Sequence, residues 1–95
     1  MKAITAKKAS LAELRKKICD IDGELLRLLK ERVETARQIG LEKTQYQIPV
    51  KDPEMEDLVR DRNRATAASL GLYEDLADEL SELLIRYAVR AQVEA

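Results

Sequence analysis

From Leu11 onward the apolar residues recur at alternating steps of three and four: Leu11, Leu14, Ile18, Ile21, Leu25 and Leu28. This is the stripe of an amphipathic or coiled-coil helix. The next slot on the seam holds Arg32, and apolar character returns at Ala36 and Ile39. The helix therefore continues, with a guanidinium standing on its buried side, where burial without a partner is costly. Something anionic is expected to meet it.

The same pattern bounds three helices. Ser10-Leu11-Ala12-Glu13 reads as a capping box, so the first helix is predicted to begin at about Leu11. No proline interrupts it before Pro49, and it should run to about Lys43 or Thr44. At about 1.5 Å per residue it would span roughly 50 Å, more than a compact monomer of this size can cover, so a second chain is expected. Residues 44–51 read as a loop. Asp52-Pro53 reads as a helix start, with Asp52 as N-cap and Pro53 at the first helical position. Met55 occupies the third helical position, so the capping box is incomplete and Glu56 is left free for other work. Met55, Leu58, Val59, Arg62, Ala65 and Thr66 keep helical spacing up to a glycine-capped stop at Ser69-Leu70-Gly71-Leu72. A third helix is predicted to present Leu76, Leu80, Leu83, Leu84, Tyr87, Ala88 and Ala91 on one face, with the polar Gln92 one turn after Ala88. The expected architecture is all-α, a single domain over residues 1–95, with residues 1–9 flexible.

Composition narrows the function classes. A chain of 95 residues buries only about two-thirds of its unfolded surface, which makes oligomerisation a natural source of further core. Phe and Trp are absent and Tyr46, Tyr73 and Tyr87 are the only aromatics, so the core must be Leu, Ile, Val and Ala. Seventeen Lys and Arg stand against 18 Asp and Glu, which argues against the broad basic surface of a nucleic-acid binder. With no histidine and with Cys19 the only cysteine, zinc-type ligand sets, Ser-His and Cys-His nucleophiles and an intrachain disulfide are excluded. No cofactor and no metal are expected. No apolar run approaches membrane-spanning length, and the lysines of the first ten residues precede no apolar stretch. Neither membrane anchor nor signal peptide is predicted, and the expected address is cytoplasmic.

The polar intruders can be read together. Arg32 and Lys43 are eleven residues apart, three turns, so they project from nearly the same side with Ile39 between them. Their backbones lie about 16 Å apart, which leaves room for a small dianion between two long side chains. Arg15 lies about 25 Å before Arg32 along the axis and roughly 100° around it. A site using both arginines would have to be completed by a neighbouring subunit. Each residue also has a structural reading: Arg32 paired with a Glu of a facing helix, Lys43 favouring the helix dipole, Asp52 a cap, Gln92 bonded to backbone.

The run Leu14-Arg15-Lys16-Lys17-Ile18, then Ile21-Asp22, Leu25-Leu26, Leu28-Leu29-Lys30-Glu31-Arg32, Gly40 with Lys43, Pro49-Val50, Asp52 and Glu56 resembles the all-helical class of chorismate mutase. The likeness extends from about residue 10 to Gln92. It implies an intertwined homodimer whose long first helices cross between two sites. It also implies the rearrangement of chorismate, a small dianion, to prephenate in aromatic amino acid biosynthesis, the shikimate pathway. That step is pericyclic: the bond to the ether oxygen breaks while a carbon–carbon bond forms, with no nucleophile, proton transfer, metal or cofactor. Holding the compact conformer and stabilising charge on the ether oxygen is enough.

By this resemblance Arg32, and Arg15 from the partner chain, bind the two carboxylates, and Lys43 and Gln92 donate to the ether oxygen. Asp52 and Glu56 face the ring hydroxyl, while Ile39, Val59 and Ile85 form apolar walls. Two positions depart from the family's usual pattern: Met55 where an Arg is common, and Ala88 where a Ser often faces the substrate. They open the alternatives of a related substrate, 4-amino-4-deoxychorismate or isochorismate. A non-enzymatic helical dimerisation module is the competing class, and the presence of the charged set disfavours it.

Overall fold

The computed structural model describes residues 9–95; the expected flexible stretch at 1–9 lies almost wholly outside them. Three helices account for the described residues: α1 (Leu11–Gln45), α2 (Pro53–Leu70) and α3 (Glu74–Val93). By compactness the chain divides into two units, one ending at Glu31 and the other comprising Arg32–Ala95.

In the first unit the capping box forms as the sequence requires. The Glu13 N–H donates to Ser10 Oγ at 3.1 Å, and the Ser10 N–H donates to Glu13 Oε1 at 2.8 Å. The bond from the Ser10 N–H, and secondarily the Ser10 side chain, favour the charged carboxylate and hold Glu13 below its ordinary value. The seam residues Leu11, Leu14, Ile18, Ile21, Leu25 and Leu28 are all exposed in the single chain, Leu11 by 62%.

The second unit is built on close approach of small side chains. Between α2 and α3 the buried positions are Val59 and Ala67 on one side and Ala77, Ser81 and Ile85 on the other. Asn63 Nδ2 donates to Ser81 Oγ at 3.0 Å, and that hydroxyl donates on to the Ala77 carbonyl at 2.8 Å. At the rim, Arg60 grips both oxygens of Glu82 at 2.7 and 3.1 Å, and Arg64 grips Asp78 at 3.1 and 2.6 Å. The apolar row on the other face of α3 stays largely uncovered in the single chain. Leu76, Leu80, Leu83 and Tyr87 are exposed and only Ala91 of that set is buried.

The connections aim the site. Close to the expected stop at Lys43 or Thr44, α1 ends at Gln45 and closes in a Schellman motif. Ile48 N–H donates to the Lys43 carbonyl at 2.7 Å and Gln47 N–H to the Thr44 carbonyl at 3.3 Å. Its left-handed position is Gln47, with φ 55°, where glycine would be unstrained. The chain thus doubles back at Ile48 and brings Val50 beside Lys43. As expected, Asp52 caps α2, accepting from the Met55 N–H at 3.2 Å, and Gly71 closes it with φ 69°.

Candidate functional site

Within Arg32–Ala95 lies a cavity of about 400 Å³, within the range of small-molecule sites. The last four turns of α1 supply Arg32, Ile39 and Lys43; the connection supplies Asp52; α2 supplies Met55, Glu56 and Val59; α3 supplies Ile85, Ala88 and Gln92. Every site residue predicted from sequence is thus brought to one cavity, apart from Arg15, which belongs to the other unit, is exposed and does not line it.

Arg32 Nη1 donates to the Leu84 carbonyl at 3.1 Å, and no carboxylate among the described residues pairs with it. The structural reading of Arg32 as half of an Arg–Glu pair is therefore not met within the chain. Burial and, secondarily, the like charge of Arg62 push the guanidinium below its ordinary value. It stays protonated at any useful pH, since the ordinary value is so high. The charge is held against both influences, and an anion in the cavity would relieve them.

Lys43 Nζ donates to the Val50 carbonyl at 2.9 Å, a contact that the Schellman reversal makes possible. One carbonyl leaves an ammonium with donors to spare. Gln92 has no hydrogen bond to its Oε1, which is buried, so its reading as a backbone-bonded structural amide is not met at that atom. A half-turn about the last torsion exchanges oxygen and nitrogen, so the amide can present a donor or an acceptor to a ligand.

Glu56 takes no part in the cap and pairs with two cations. Its Oε1 accepts from Lys51 Nζ at 3.1 Å, and Arg60 Nη2 lies 3.7 Å away. Its Oε2 is buried 2.8 Å from the same ammonium, but too far off-axis for a hydrogen bond. With Glu56 compensated by two cations and Asp52 engaged as a cap, the Arg32 end of the cavity carries uncompensated positive charge.

The lining also includes Thr35, Ala36, Val50, Arg62 and Val89, which sequence reading does not single out. Arg62 had a signal. It sits in the row Met55, Leu58, Val59, Arg62, where it is the same kind of polar intruder as Arg32. Val50, supplied by the connection, had none in helical periodicity. Among the described residues there is no group of three metal-ligating side chains, and no helix is long and apolar enough to cross a membrane.

Comparison with known proteins shows the family. A family model described as chorismate mutase type II matches residues 14–93. The chain is 36% identical over 77 residues to a "Chorismate mutase" of Methanocaldococcus jannaschii, covering 81% of this chain and 78% of that protein. It is 31% identical over 77 residues to the "T-protein" of Haemophilus influenzae, covering 81% of this chain and 20% of that protein. Over 46 residues it is 50% identical to the "Bifunctional chorismate mutase/prephenate dehydratase" of Aquifex aeolicus, covering 48% of this chain and 13% of that protein. The chain thus spans most of the first relative and a fifth or less of the other two.

Proposed function

The chain belongs to the chorismate mutase type II family, and from that premise we propose that it converts chorismate to prephenate in the cavity between Arg32 and Gln92. The observation that carries the assignment is the Arg32 guanidinium, half-buried without a carboxylate partner, in one cavity with Lys43 and Gln92. A dianionic substrate supplies the missing anion.

In this reading Arg32 holds one substrate carboxylate, and Arg15 of a second chain holds the other. The Lys43 ammonium and the Gln92 amide donate to the ether oxygen as its bond to carbon breaks. Preorganised donors of this kind cost no reorganisation at the moment of reaction. Ile39, Val59 and Ile85 wall the cavity and keep the enolpyruvyl side chain over the ring. Electrons move around a closed ring of six atoms, so the step needs no proton.

Glu56 favours chorismate over its 4-amino analogue. A ring ammonium would meet a carboxylate already compensated by Lys51 and Arg60, whereas a neutral hydroxyl can donate to the buried Oε2 that lacks a hydrogen bond.

The working form in this reading is an intertwined homodimer acting as one domain. The exposed apolar row from Leu11 to Leu28 supports it, since a continuous apolar stripe of that length calls for cover. Cys19, exposed and unpaired, suits a reducing compartment, and we assign the chain to the cytoplasm.

The test is to follow chorismate disappearance with purified protein and identify the product, with isochorismate and 4-amino-4-deoxychorismate offered in parallel. Prephenate as product, lost in Arg32→Ala, is expected. Turnover of either analogue without turnover of chorismate would overturn the substrate assignment.

A further inference from the structure

Gly40 lies on the last turns of α1 and is buried. A Cβ at this position would stand 2.6 Å from the carbonyl oxygen and 2.7 Å from the Cα of Gln92, with the Ala95 Cβ at 3.0 Å. Backbone atoms at such distances cannot yield as a flexible side chain would. The requirement is spatial, because Gly71 is the only glycine among the described residues with positive φ. Gly23, on the same helix, has open space where its Cβ would be. At Gly40, then, the absence of a side chain lets the backbone of α3 touch that of α1, and the residue touched is Gln92.

Gly40 and Lys43 are three residues apart and so share a face of α1. The contact therefore sets the separation between the roots of Lys43 and Gln92, both of which line the cavity. Arg32 is anchored elsewhere, two turns earlier on both helices, through the Leu84 carbonyl.

We propose that Gly40 is a positioning residue for the Gln92 amide: by admitting the α3 backbone to contact distance it sets how far that amide reaches toward Lys43. The inference rests on the reading of Gln92 as a donor to the ether oxygen. Relieving the contact to an ordinary separation moves the last turn of α3 by about 1 Å. Donor geometry tolerates about half that displacement, and a misplacement of about 1 Å can cost on the order of a hundredfold in rate. The carboxylate anchor at Arg32 stays in place, so kcat falls and KM changes less.

A double-mutant cycle reads this directly. Gly40→Ala, Gln92→Ala and the double variant are compared for kcat, KM and urea unfolding, with Gly23→Ala as a control for the helix itself. Gly40→Ala is expected to lower kcat by about ten- to a hundredfold, and the double variant to fall within about threefold of Gln92→Ala alone. Effects on kcat that multiply in the double variant would overturn the proposal. A Gln92→Ala variant of unchanged kcat would instead overturn the reading of Gln92, and this inference with it. Should Gly40→Ala unfold, the cycle is repeated in a Gln47→Gly background, which relieves strain at the end of α1. Failure to fold there too would make Gly40 a requirement of the fold rather than of the amide, and would equally overturn the proposal.

Discussion

At the scale of single residues, the chemistry turns on groups whose ordinary partners are missing. Gln92 carries a buried oxygen with no hydrogen bond, and as an amide it does not titrate. Gln92→Glu keeps the size of the side chain but can donate only when protonated. Activity of Gln92→Glu is accordingly expected to rise toward acidic pH while the parent stays nearly flat between pH 5 and about 8. Initial rates across that range, with circular dichroism to follow the fold, check it; an unchanged flat profile would remove Gln92 from the ether-oxygen site. Most of this site was legible one side chain at a time. Arg32, Lys43 and Gln92 each break an apolar pattern, and all three converge on the cavity. Arg62 breaks its row in the same way and was overlooked because a single arginine in a charged amphipathic helix looks like solvated surface. Of the partners of Glu56, Arg60 was legible as an i,i+4 pair on α2, whereas Lys51 lies in the connection, where no helical spacing marks it.

Among elements, caps and stops were readable because their chemistry is local, whereas the packing rows were not. Ser10 with Glu13, Asp52 with Pro53, and Gly71 each satisfy helix ends within a few residues. The buried row of α3 is made of Ala77, Ser81 and Ile85 instead of its leucines, since the distance between two helices is a tertiary quantity that side-chain hydrophobicity does not encode. The α1 stop was legible, but the left-handed turn at Gln47 that makes it was not, since glutamine does not advertise one. Gln47→Gly is expected to stabilise the protein by about 0.5–1 kcal/mol, the cost of a side chain in that conformation less the added freedom of the unfolded chain. Urea unfolding at constant m-value measures it. The bridges from α2 to α3 give a pH dependence of definite sign. Hydrogen bonds from Arg60 and Arg64 lower Glu82 and Asp78 respectively. The folded chain therefore binds fewer protons than the unfolded one as these groups titrate. Their contribution is whole above the ordinary carboxylate range, about pH 4 to 4.5, and is lost as pH falls through the lower folded values. Exposure and salt keep it small. Glu82→Gln should lower the melting temperature slightly at neutral pH and low ionic strength and change it least in acid, so that the acid limb of the profile is flattened.

For the whole molecule, the chain holds two features that one copy leaves unfinished. Its first unit presents a row from Leu11 to Leu28 with every member exposed, and Arg15 stands on that helix while the cavity is lined only from Arg32 onward. If each site takes Arg32 from one chain and Arg15 from the other, two chains that are each inactive can repair one another. In a mixed dimer of Arg15→Ala and Arg32→Ala chains, one site receives both defects and the other receives both intact arginines. Random exchange makes half of all dimers mixed, and half the sites within them competent, so a 1:1 mixture is expected to recover about a quarter of parental activity. The figure follows from the two-fold pairing of a closed dimer. Exchange is followed independently by tagging one chain and separating tagged, mixed and untagged dimers. Mixed dimers without activity would refute the shared site. A stable, fully helical monomer in sedimentation at micromolar concentration would refute the dimer itself, leaving the exposed seam of α1 with no account.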